Sequence, residues 1–377
     1  MARPASAPSD VLAILREGEP RTKSELAQLT GQARSTIAMR LDSLTGRGLV
    51  RESDGVVSTG GRPSVTYEFN AAGGVVLAAD LGARHAYLAV VDLGGTVLAH
   101  RREDIDIAAG PDAVLSAVLE AWESQLRELG VAAAVWGAGV GLPGPVEHST
   151  GMPVSPPIMP GWDGVDVRGR IRKVFDVPVV VDNDVNLLAL GEWTTRFPDE
   201  SDLVVVKVAT GIGAGIISGG GLTRGAQGAA GDIGHIQVVG AQPRLCRCGQ
   251  TGCLEAYASG RGIAESLRAE GVEAASADDV VRLVRAGHPL ATRVSREAGR
   301  MIGEVLATCV SILNPGQIVI GGEMAESGET LLAGIREAIY QRSQPLATRQ
   351  LAVSTVQHPD RGGVVGAARI VLDEILA

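Results

Sequence analysis

Residues 75–104 read "VVLAADLGARHAYLAVVDLGGTVLAHRRED" and decide the fold, because two glycine-containing turns divide an apolar stretch into three segments of strand length. The pattern predicts a strand that ends at Asp80, a turn at "LGAR" and a second strand over residues 85–92. A turn at "LGG" and a third strand over residues 96–103 follow. Strands joined by such short turns pair antiparallel, so the stretch predicts a three-stranded meander.

The same arrangement occurs a second time further along the chain. A helical pattern over 111–130, a strand within 132–146 and a strand over 177–184 that leads into a helix over 185–193 follow the first meander. Residues 202–225, "DLVVVKVATGIGAGIISGGGLTRG", predict another glycine-turned pair of strands, and helices and the strand "QIVIGGE" come after it. Two meanders, each followed by helices, predict an α/β protein with two related lobes around a cleft.

Length and composition limit the possible classes of protein. A chain of 377 residues is too long for one compact core, which predicts two or three domains. Because 45% of the residues are hydrophobic and 20% are charged, the chain is expected to be globular. No apolar run approaches the ~20 residues that a membrane helix needs, so a cytoplasmic protein without a membrane partner is expected.

The first 70 residues predict a winged helix-turn-helix. Helical patterns cover residues 9–17 and 23–30, with Ser24 as the expected cap of the second helix and Gly31 at its end. A third helix follows, in which Ile37, Leu41 and Leu44 recur at helical spacing as a buried stripe. Strand-like segments at 48–52 and 64–70 flank a glycine-rich tip that forms the wing. The third helix and the wing supply the candidate DNA-binding residues Arg34, Ser35, Thr36, Met39, Arg40 and Arg62.

Charge distribution agrees with a DNA-binding front end. The first 70 residues carry nine Arg or Lys against eight Asp or Glu, whereas the whole chain has a net charge of −9. Only this part of the chain can comfortably approach a polyanion. A small helical bundle that binds another protein is the alternative, and the arginine on the wing favours double-stranded DNA.

Seven motifs of the remaining chain resemble those of the ROK family of bacterial sugar kinases and sugar-responsive repressors. The resemblance implies an actin/hexokinase-like (ribonuclease H-like) fold, with a winged helix-turn-helix domain over 1–70 and a ROK sugar-binding domain over 71–377. The lobes of the second domain would cover approximately 71–185 and 186–377. In chain order the motifs are "AADLG", "GLPGPV", "VDNDVNLLALGEW", "ATGIGAGI", "RGAQGAAGDIGH", "CRCGQTGCLE" and "NPGQIVIGGE".

Three closely spaced cysteines and one histidine predict a metal site. Cys246, Cys248 and Cys253 with His235 supply three thiolates and one imidazole, a complete tetrahedral set for structural Zn²⁺. Reduced free cysteines on a loop are the alternative. The fourth cysteine, Cys309, lies in a helical pattern and is expected to be a small core residue. In the resembled family the zinc helps to hold the sugar-binding loop.

The resemblance also implies a sugar site built from separate loops. The residues implied are Asn183, Asp184, Asp232, His235 and Glu255. The family usually has Glu where Asp232 stands, so the choice of sugar is open. Asn183 and Asp184 would also be found at a strand-to-helix junction as a plain helix cap. In a kinase, Asp184 would be the general base that accepts the proton of the sugar hydroxyl.

The phosphate-binding turn of such a kinase follows the first strand, and here it departs from the pattern. After Asp80 the turn reads "DLGAR", in which Ala83 replaces a glycine and Arg84 replaces a threonine. An alanine methyl group is expected to restrict positive φ, although the Arg84 guanidinium is able to bind phosphate. The intact "DLGGT" at residues 92–96 lies one strand later and is interpreted as an ordinary hairpin turn. The nucleotide-site candidates are Asp80, Thr210, Gly211, Gly213, Gly321 and Gly322, all of which are also explicable as turns of the fold.

The combined prediction is a DNA-binding transcriptional regulator, a repressor, whose ROK domain binds a sugar or sugar derivative. The altered phosphate turn favours it over the alternative, an active sugar kinase with an appended DNA-binding domain. The repressor requires structural Zn²⁺, a double-stranded operator and a homodimer or homotetramer that reads paired half-sites. ATP and Mg²⁺ would be needed only by the kinase.

Overall fold

A computed structural model of the chain describes residues 8–57, 64–130, 134–239 and 242–377. The described residues form an N-terminal unit with a three-stranded sheet and two larger lobes, each with a five-stranded sheet. Among these residues no helix is both long and apolar enough to cross a membrane.

The N-terminal unit has the predicted winged-helix arrangement of three helices and a returning pair of strands. Its sheet has the order β1-β3-β2, and the short strand β1 was not predicted from the sequence. The stripe of Ile37, Leu41 and Leu44 is buried, as expected. The elements are α1 (Pro8–Arg16), β1 (Arg21–Thr22), α2 (Lys23–Thr30), α3 (Arg34–Gly46), β2 (Val50–Val57) and β3 (Ser64–Phe69).

The expected cap of α2 is wrong. Thr22, and not Ser24, caps the helix: its Oγ1 accepts the Glu25 amide at 3.2 Å, and the Glu25 carboxylate accepts the Thr22 amide at 2.7 Å. This reciprocal pair is a capping box, which satisfies two amides that a helix otherwise leaves without partners. Gly31 ends the helix with a left-handed φ of 68°, as predicted.

The first lobe contains the predicted meander. Strands β4, β5 and β6 pair antiparallel, and β7 and β10 extend the sheet in parallel on the other side of β4, giving the order β10-β7-β4-β5-β6. The elements are β4 (Val75–Leu81), β5 (His85–Asp92), β6 (Val97–Asp104), α4 (Pro111–Leu129), β7 (Val135–Leu142), β8 (Val146–Glu147), β9 (Met152–Pro153), α5 (Val167–Arg172) and β10 (Val179–Asn183).

The second lobe repeats this design. Its sheet order, β13-β12-β11-β14-β15, is again an antiparallel meander with two parallel strands added beside its first strand. The elements are α6 (Asp184–Arg196), β11 (Leu203–Val208), β12 (Ile212–Ser218), β13 (Gly221–Thr223), α7 (Leu254–Ala258), α8 (Gly260–Ala269), α9 (Ala277–Arg285), α10 (Pro289–Leu313), β14 (Gln317–Gly321), α11 (Glu329–Arg342), α12 (Pro345–Thr348), β15 (Ala352–Thr355) and α13 (Gly362–Ile375).

Two helices, α6 and α13, lie between the sheets. Helix α6 packs against β11 and β12, whereas α13 packs against α6 and against β4 and β7 of the first sheet. The two helices approach closely at Gly366, which has no side chain. An alanine Cβ at this position would lie 2.6 Å from the carbonyl carbon of Leu187. The lobe boundary of 186–377 stays a prediction, and α13, although within it, packs on the sheet of the first lobe.

The N-terminal unit shares a continuous apolar cluster with the first lobe. Val11 and Leu15 of α1 belong to the same cluster as Leu93, Leu372 and Leu376. Hydrogen bonds fix the connecting residues on each side of the boundary: the Asn70 side chain donates to the Gly48 carbonyl at 2.9 Å within the N-terminal unit, and the Leu93 amide donates to the Ala71 carbonyl at 3.0 Å within the first lobe. Leu93 belongs to the "DLGGT" hairpin, which therefore lies against the N-terminal unit.

Candidate functional site

A cavity of about 240 Å³ lies between the two lobes. It is lined by the turn after β4, the start of α6, the β11–β12 turn, the loop before residue 235, and α7. Every predicted sugar-site residue lines it, and so do all the nucleotide-site candidates except Gly321, which packs against Leu188 and Val356. The predicted residues that line the cavity are Asp80, Asn183, Asp184, Thr210, Gly211, Gly213, Asp232, His235, Glu255 and Gly322.

The start of α6 presents two of the sugar-site candidates. Asn183 caps the helix, since its Oδ1 accepts the Val185 amide at 3.0 Å while its Nδ2 donates to the Gly144 carbonyl at 2.9 Å. The capping role considered from the sequence is therefore present. Asp184 is the first residue of the helix and is buried, with 8% of its surface exposed.

A lysine on β11 forms an ion pair with Asp184. Lys207 Nζ lies 2.7 Å from Asp184 Oδ2, and both side chains are largely buried. Burial opposes the charge of Lys207, but the nearby carboxylates of Asp184 and Asp80 outweigh it and raise the pKa of the ammonium. Asp80 belongs to the same cluster: burial raises the pKa of its carboxyl to about 6, an effect that Lys207 opposes and Asp184 reinforces.

Glu255 is held in place by the β11–β12 turn. Its Oε2 accepts the Ile212 amide at 3.2 Å. An alanine Cβ at position 211 would lie 2.5 Å from the same oxygen, so Gly211 is needed for this approach. The first glycine of "ATGIG", Gly211, is therefore explained by its contact with the sugar-site carboxylate.

The predicted metal ligands come together. One ligand atom from each of His235, Cys246, Cys248 and Cys253 lies within 4.8 Å of the others. Cys248 Sγ and Cys253 Sγ are 3.7 Å apart, as are Cys246 Sγ and His235 Nδ1. The edge of a tetrahedron around zinc is about 3.8 Å between sulfurs and about 3.6 Å between sulfur and nitrogen, from bond lengths of ~2.3 and ~2.05 Å. The donor set and its spacing therefore fit a tetrahedral metal ion.

The loop that carries the cysteines is shaped by glycines. Gly249 and Gly252 have left-handed φ values of 88° and 87°, which let the chain turn back between the thiols. Cys253 is fully buried, and burial together with the neighbouring thiols raises its pKa to about 12. A metal ion that binds here must displace this proton, which couples metal binding to pH.

His235 joins the metal cluster to the cavity. Its Nδ1 faces Cys246, whereas its Nε2 lies 3.9 Å from Asp232 Oδ1. If Nδ1 ligates the metal, Nε2 carries the proton and is available as a donor beside the Asp232 carboxylate. The metal cluster thereby orients one polar atom of the candidate sugar site.

The two phosphate-motif turns lie at opposite ends of β5. Gly82 and Ala83 line the cavity, whereas no residue of 92–96 does. Neither Gly82 nor Ala83 has a positive φ, so this turn does not use the left-handed conformation that an alanine methyl group is expected to restrict. Arg84 is exposed and is not among the lining residues. Gly322 has a φ of 82°, and an alanine Cβ there would lie 2.5 Å from the Val208 carbonyl oxygen, which explains this glycine by the fold.

Helix α3 exposes part of the predicted DNA-binding face. Arg34 and Ser35 are exposed, Met39 is 69% exposed, and Thr36 and Arg40 are half-buried. Arg62 lies outside the described residues. An exposed methionine on a helix that is otherwise polar on this face is suited to an apolar contact with a thymine methyl group.

Sequence reasoning missed several charged residues around the cavity. Lys207 is the only charged residue of β11, and an isolated lysine in "LVVVKV" was a readable signal. Arg224 Nε donates to Asp182 Oδ2 at 2.6 Å and so links the loop after β13 to β10 of the other lobe. Glu323 lines the cavity after β14, where burial and the nearby Asp278 raise the pKa of its carboxyl.

Comparisons with known proteins find relatives of both parts of the chain. The sequence profile described as "ROK family" matches residues 76–374, and that of the "IclR helix-turn-helix domain" matches residues 9–54. The xylose repressor of Caldicellulosiruptor bescii is 27% identical over 97% of this chain and 95% of its own length.

Two solved structures give the same result. A ROK family transcriptional regulator described as a homologue of the Escherichia coli MLC protein superposes with a TM-score of 0.82 at 26% identity, covering 98% of this chain and 96% of the other. A ROK family glucokinase from Streptomyces griseus, solved with glucose and AMPPNP, gives a TM-score of 0.65 at 27% identity over 79% of this chain and 99% of its own. The xylose repressor and the transcriptional regulator are thus similar to almost the whole chain, including the N-terminal unit.

Proposed function

The chain belongs to the ROK family, and on this premise we propose that it is a sequence-specific DNA-binding transcriptional repressor whose cleft binds a sugar effector. The observation that carries the proposal is the combination, in one chain, of a winged helix and a cleft lined by every predicted sugar-site residue. The relatives that are similar over almost the whole chain are named a xylose repressor and a transcriptional regulator, whereas the glucokinase covers 79% of the chain.

The sugar would be held by groups that converge from separate elements. Asp184, Asp232 and Glu255 offer carboxylates, and His235 offers a ring nitrogen, so that acceptors and donors surround the cavity at fixed positions. A sugar hydroxyl is both donor and acceptor and can use both kinds of group. The negative charge of these three carboxylates favours a neutral or cationic sugar over an anionic one.

Structural Zn²⁺ would occupy the cluster of His235 and the three cysteines. Four donors of this type form a closed tetrahedral set, which leaves no open position for chemistry. The ion would fix the loop that leads into α7, and therefore the position of Glu255 two residues after Cys253.

We propose that α13 carries the response to the sugar from the cleft to the winged helix. Its first turn presses against the floor of the cavity, where an alanine Cβ at Gly363 would lie 2.8 Å from Asp80 Cβ. Its last turns share an apolar cluster with α1, to which Leu372, Leu376 and Val11 belong. A helix of 14 residues spans about 21 Å, so one rigid element contacts both sites.

Coupling would follow from linkage between two arrangements of the lobes. A sugar that binds one arrangement better shifts the population towards it, and operator affinity changes by the same coupling free energy. The winged helices of a homodimer or homotetramer would then change their spacing relative to paired half-sites.

An active sugar kinase is the second candidate, because Asp184, which the family resemblance implies as the general base of a kinase, lines the cleft together with Thr210. Several features disfavour it. The first phosphate turn contains Ala83 and Arg84 in place of glycine and threonine. Glu323 and Glu326, which follow the nucleotide-site candidate Gly322, line the cavity. The Asp184 carboxylate is ion-paired with Lys207. Carboxylates beside a polyphosphate repel it.

Two measurements on the zinc-loaded protein separate these functions. Duplexes selected from a random library by the purified protein serve as the DNA probe, and operator affinity is measured with a panel of hexoses, pentoses and amino sugars. ADP release with ATP and Mg²⁺ is measured across the same panel, with Asp184→Asn as the control. A repressor shows a sugar-dependent change in operator affinity without turnover; sugar-dependent ADP release that disappears in Asp184→Asn establishes the kinase.

A further inference from the structure

The floor of the cavity contains two carboxylates and one lysine. Asp80 ends β4 in the first lobe, Asp184 begins α6, and Lys207 projects from β11 in the second lobe. All three line the cavity. The cluster therefore includes residues of both lobes, and it belongs to the same cavity as the sugar-site and nucleotide-site candidates.

A pair of carboxylates at this place would ordinarily be suited to a divalent cation. Mg²⁺ takes oxygen ligands at about 2.0–2.1 Å and is usually held by one or two carboxylates together with phosphate oxygens. Phosphoryl transfer relies on such an ion to neutralise the developing charge. Asp80 has one buried oxygen, Oδ1, that accepts no hydrogen bond from the described residues.

The presence of Lys207 disfavours a divalent cation at these carboxylates. Its ammonium lies 2.7 Å from Asp184 Oδ2 and is close enough to Asp80 to oppose the rise in the pKa of that carboxyl. Asp184 Oδ1 accepts the Val185 amide at 2.9 Å, so both oxygens of Asp184 already have a donor. A divalent cation placed between Asp80 and Asp184 would have to displace a buried ammonium or lie directly against it.

We propose that Lys207 is a built-in monovalent cation that takes the place of a divalent ion between Asp80 and Asp184 and excludes Mg²⁺ from the cleft. This inference deepens the proposed function, because it states how the sugar cleft differs from that of a kinase. Asp184 stays available as an acceptor for a sugar hydroxyl. The ammonium offsets one of the two negative charges that would attract the metal ion of a nucleotide.

Lys207 acts on the cleft through its charge. Asp80 lies on the first lobe and Lys207 on the second, and the ammonium opposes the rise in the pKa of the Asp80 carboxyl. The direct link between the lobes at this level is the Arg224–Asp182 ion pair, through the loop after β13.

Binding of Mn²⁺ alone tests the inference, with free Mn²⁺ measured by electron paramagnetic resonance in the presence of the zinc-loaded full chain. The variants are Lys207→Met, which removes the charge, and Lys207→Arg, which retains it. Wild type and Lys207→Arg should show no Mn²⁺ site that depends on Asp80. Lys207→Met should bind one Mn²⁺ at least about tenfold more tightly than any Mn²⁺ bound by wild type or by Lys207→Arg. Adding Asp80→Asn to Lys207→Met should remove this gain.

Equal Mn²⁺ binding by wild type and Lys207→Met, or a gain that survives Asp80→Asn, would overturn the inference. If Lys207→Met does not fold, the wild type still decides the question. A wild-type Mn²⁺ site that is lost in Asp80→Asn contradicts the inference, and the absence of such a site supports it. Neither DNA nor sugar enters the measurement, so failure of the proposed function would leave its result unchanged.

Discussion

Replacement of Gly366 by alanine should destabilise the protein by about 2 kcal/mol. The added Cβ would lie 2.6 Å from the carbonyl carbon of Leu187, whereas carbon atoms in contact are ordinarily about 3.5–4.0 Å apart. Helices α13 and α6 would have to separate by about 1 Å. Overpacking of this kind costs about 1–3 kcal/mol, and contact with backbone places it at the upper end, while the higher helix propensity of alanine returns about 1 kcal/mol.

Urea unfolding followed by tryptophan fluorescence measures this loss, because Trp122 and Trp162 are fully buried in the first lobe. Gly46→Ala is the matched control: it is also a helical glycine, but an added Cβ there meets no atom within 4 Å. The control should unfold at the same urea concentration as wild type or a higher one. If Gly366→Ala is as stable as Gly46→Ala, the close packing of α13 against α6 is refuted.

The same variant tests the proposed path between the sites. A shift of α13 changes its contacts at both ends, at Asp80 and at α1, without altering any predicted sugar ligand. In folded Gly366→Ala protein, the sugar should change operator affinity less than in wild type while its own affinity for the protein changes little. An undiminished effect of the sugar on operator affinity would exclude α13 as the coupling element.

Three further predictions concern the DNA-binding face, the metal and the cleft floor. Arg34→Ala should weaken operator binding by about 1–3 kcal/mol in a binding titration, whereas the distant exposed Arg349→Ala should not; equal effects would argue against α3 as the DNA-reading helix. Cys248→Ser, or chelation, should release the metal measured by elemental analysis and weaken sugar binding, and an unchanged metal content would show that the cluster is not the site. Burial raises the pKa of Asp80 to about 6, so ionisation of this residue should destabilise the folded protein as the pH rises from 4 to 7. Over this range the free energy of unfolding of wild type should fall by up to about 3 kcal/mol relative to that of Asp80→Asn. A pH-independent difference between the two proteins would contradict this.

Much of the fold was predictable because its signals are local. Alternating apolar residues and glycine turns define each meander within about 30 residues, and the helical period of Ile37, Leu41 and Leu44 defines the buried side of α3. The cysteine spacing likewise brings three ligands together within one loop. The cap of α2 was also readable, since "TKSE" has the spacing of a capping box with Thr22 first and Glu25 fourth.

The remaining features depend on contacts between distant segments. Asp184 and Lys207 meet because β11 runs past the start of α6, and no local pattern specifies this pairing. Gly211 looked like a phosphate-turn glycine, but its neighbour is the carboxylate of Glu255, 44 positions further along the chain. The return of α13 to the first sheet likewise depends on tertiary packing, which sequence periodicity does not show.

The proposed function requires that a sugar bound in the cleft controls the affinity of the winged helix for DNA. Operator affinity with and without the sugar that binds wild type, measured for wild type and for Glu255→Ala, tests this requirement. In wild type the sugar should change operator affinity by about 5–150-fold. Glu255→Ala should bind DNA without sugar as wild type does and should not respond at the same sugar concentration. A sugar that binds wild type without changing operator affinity, or a full response in Glu255→Ala, would contradict sugar control of DNA binding.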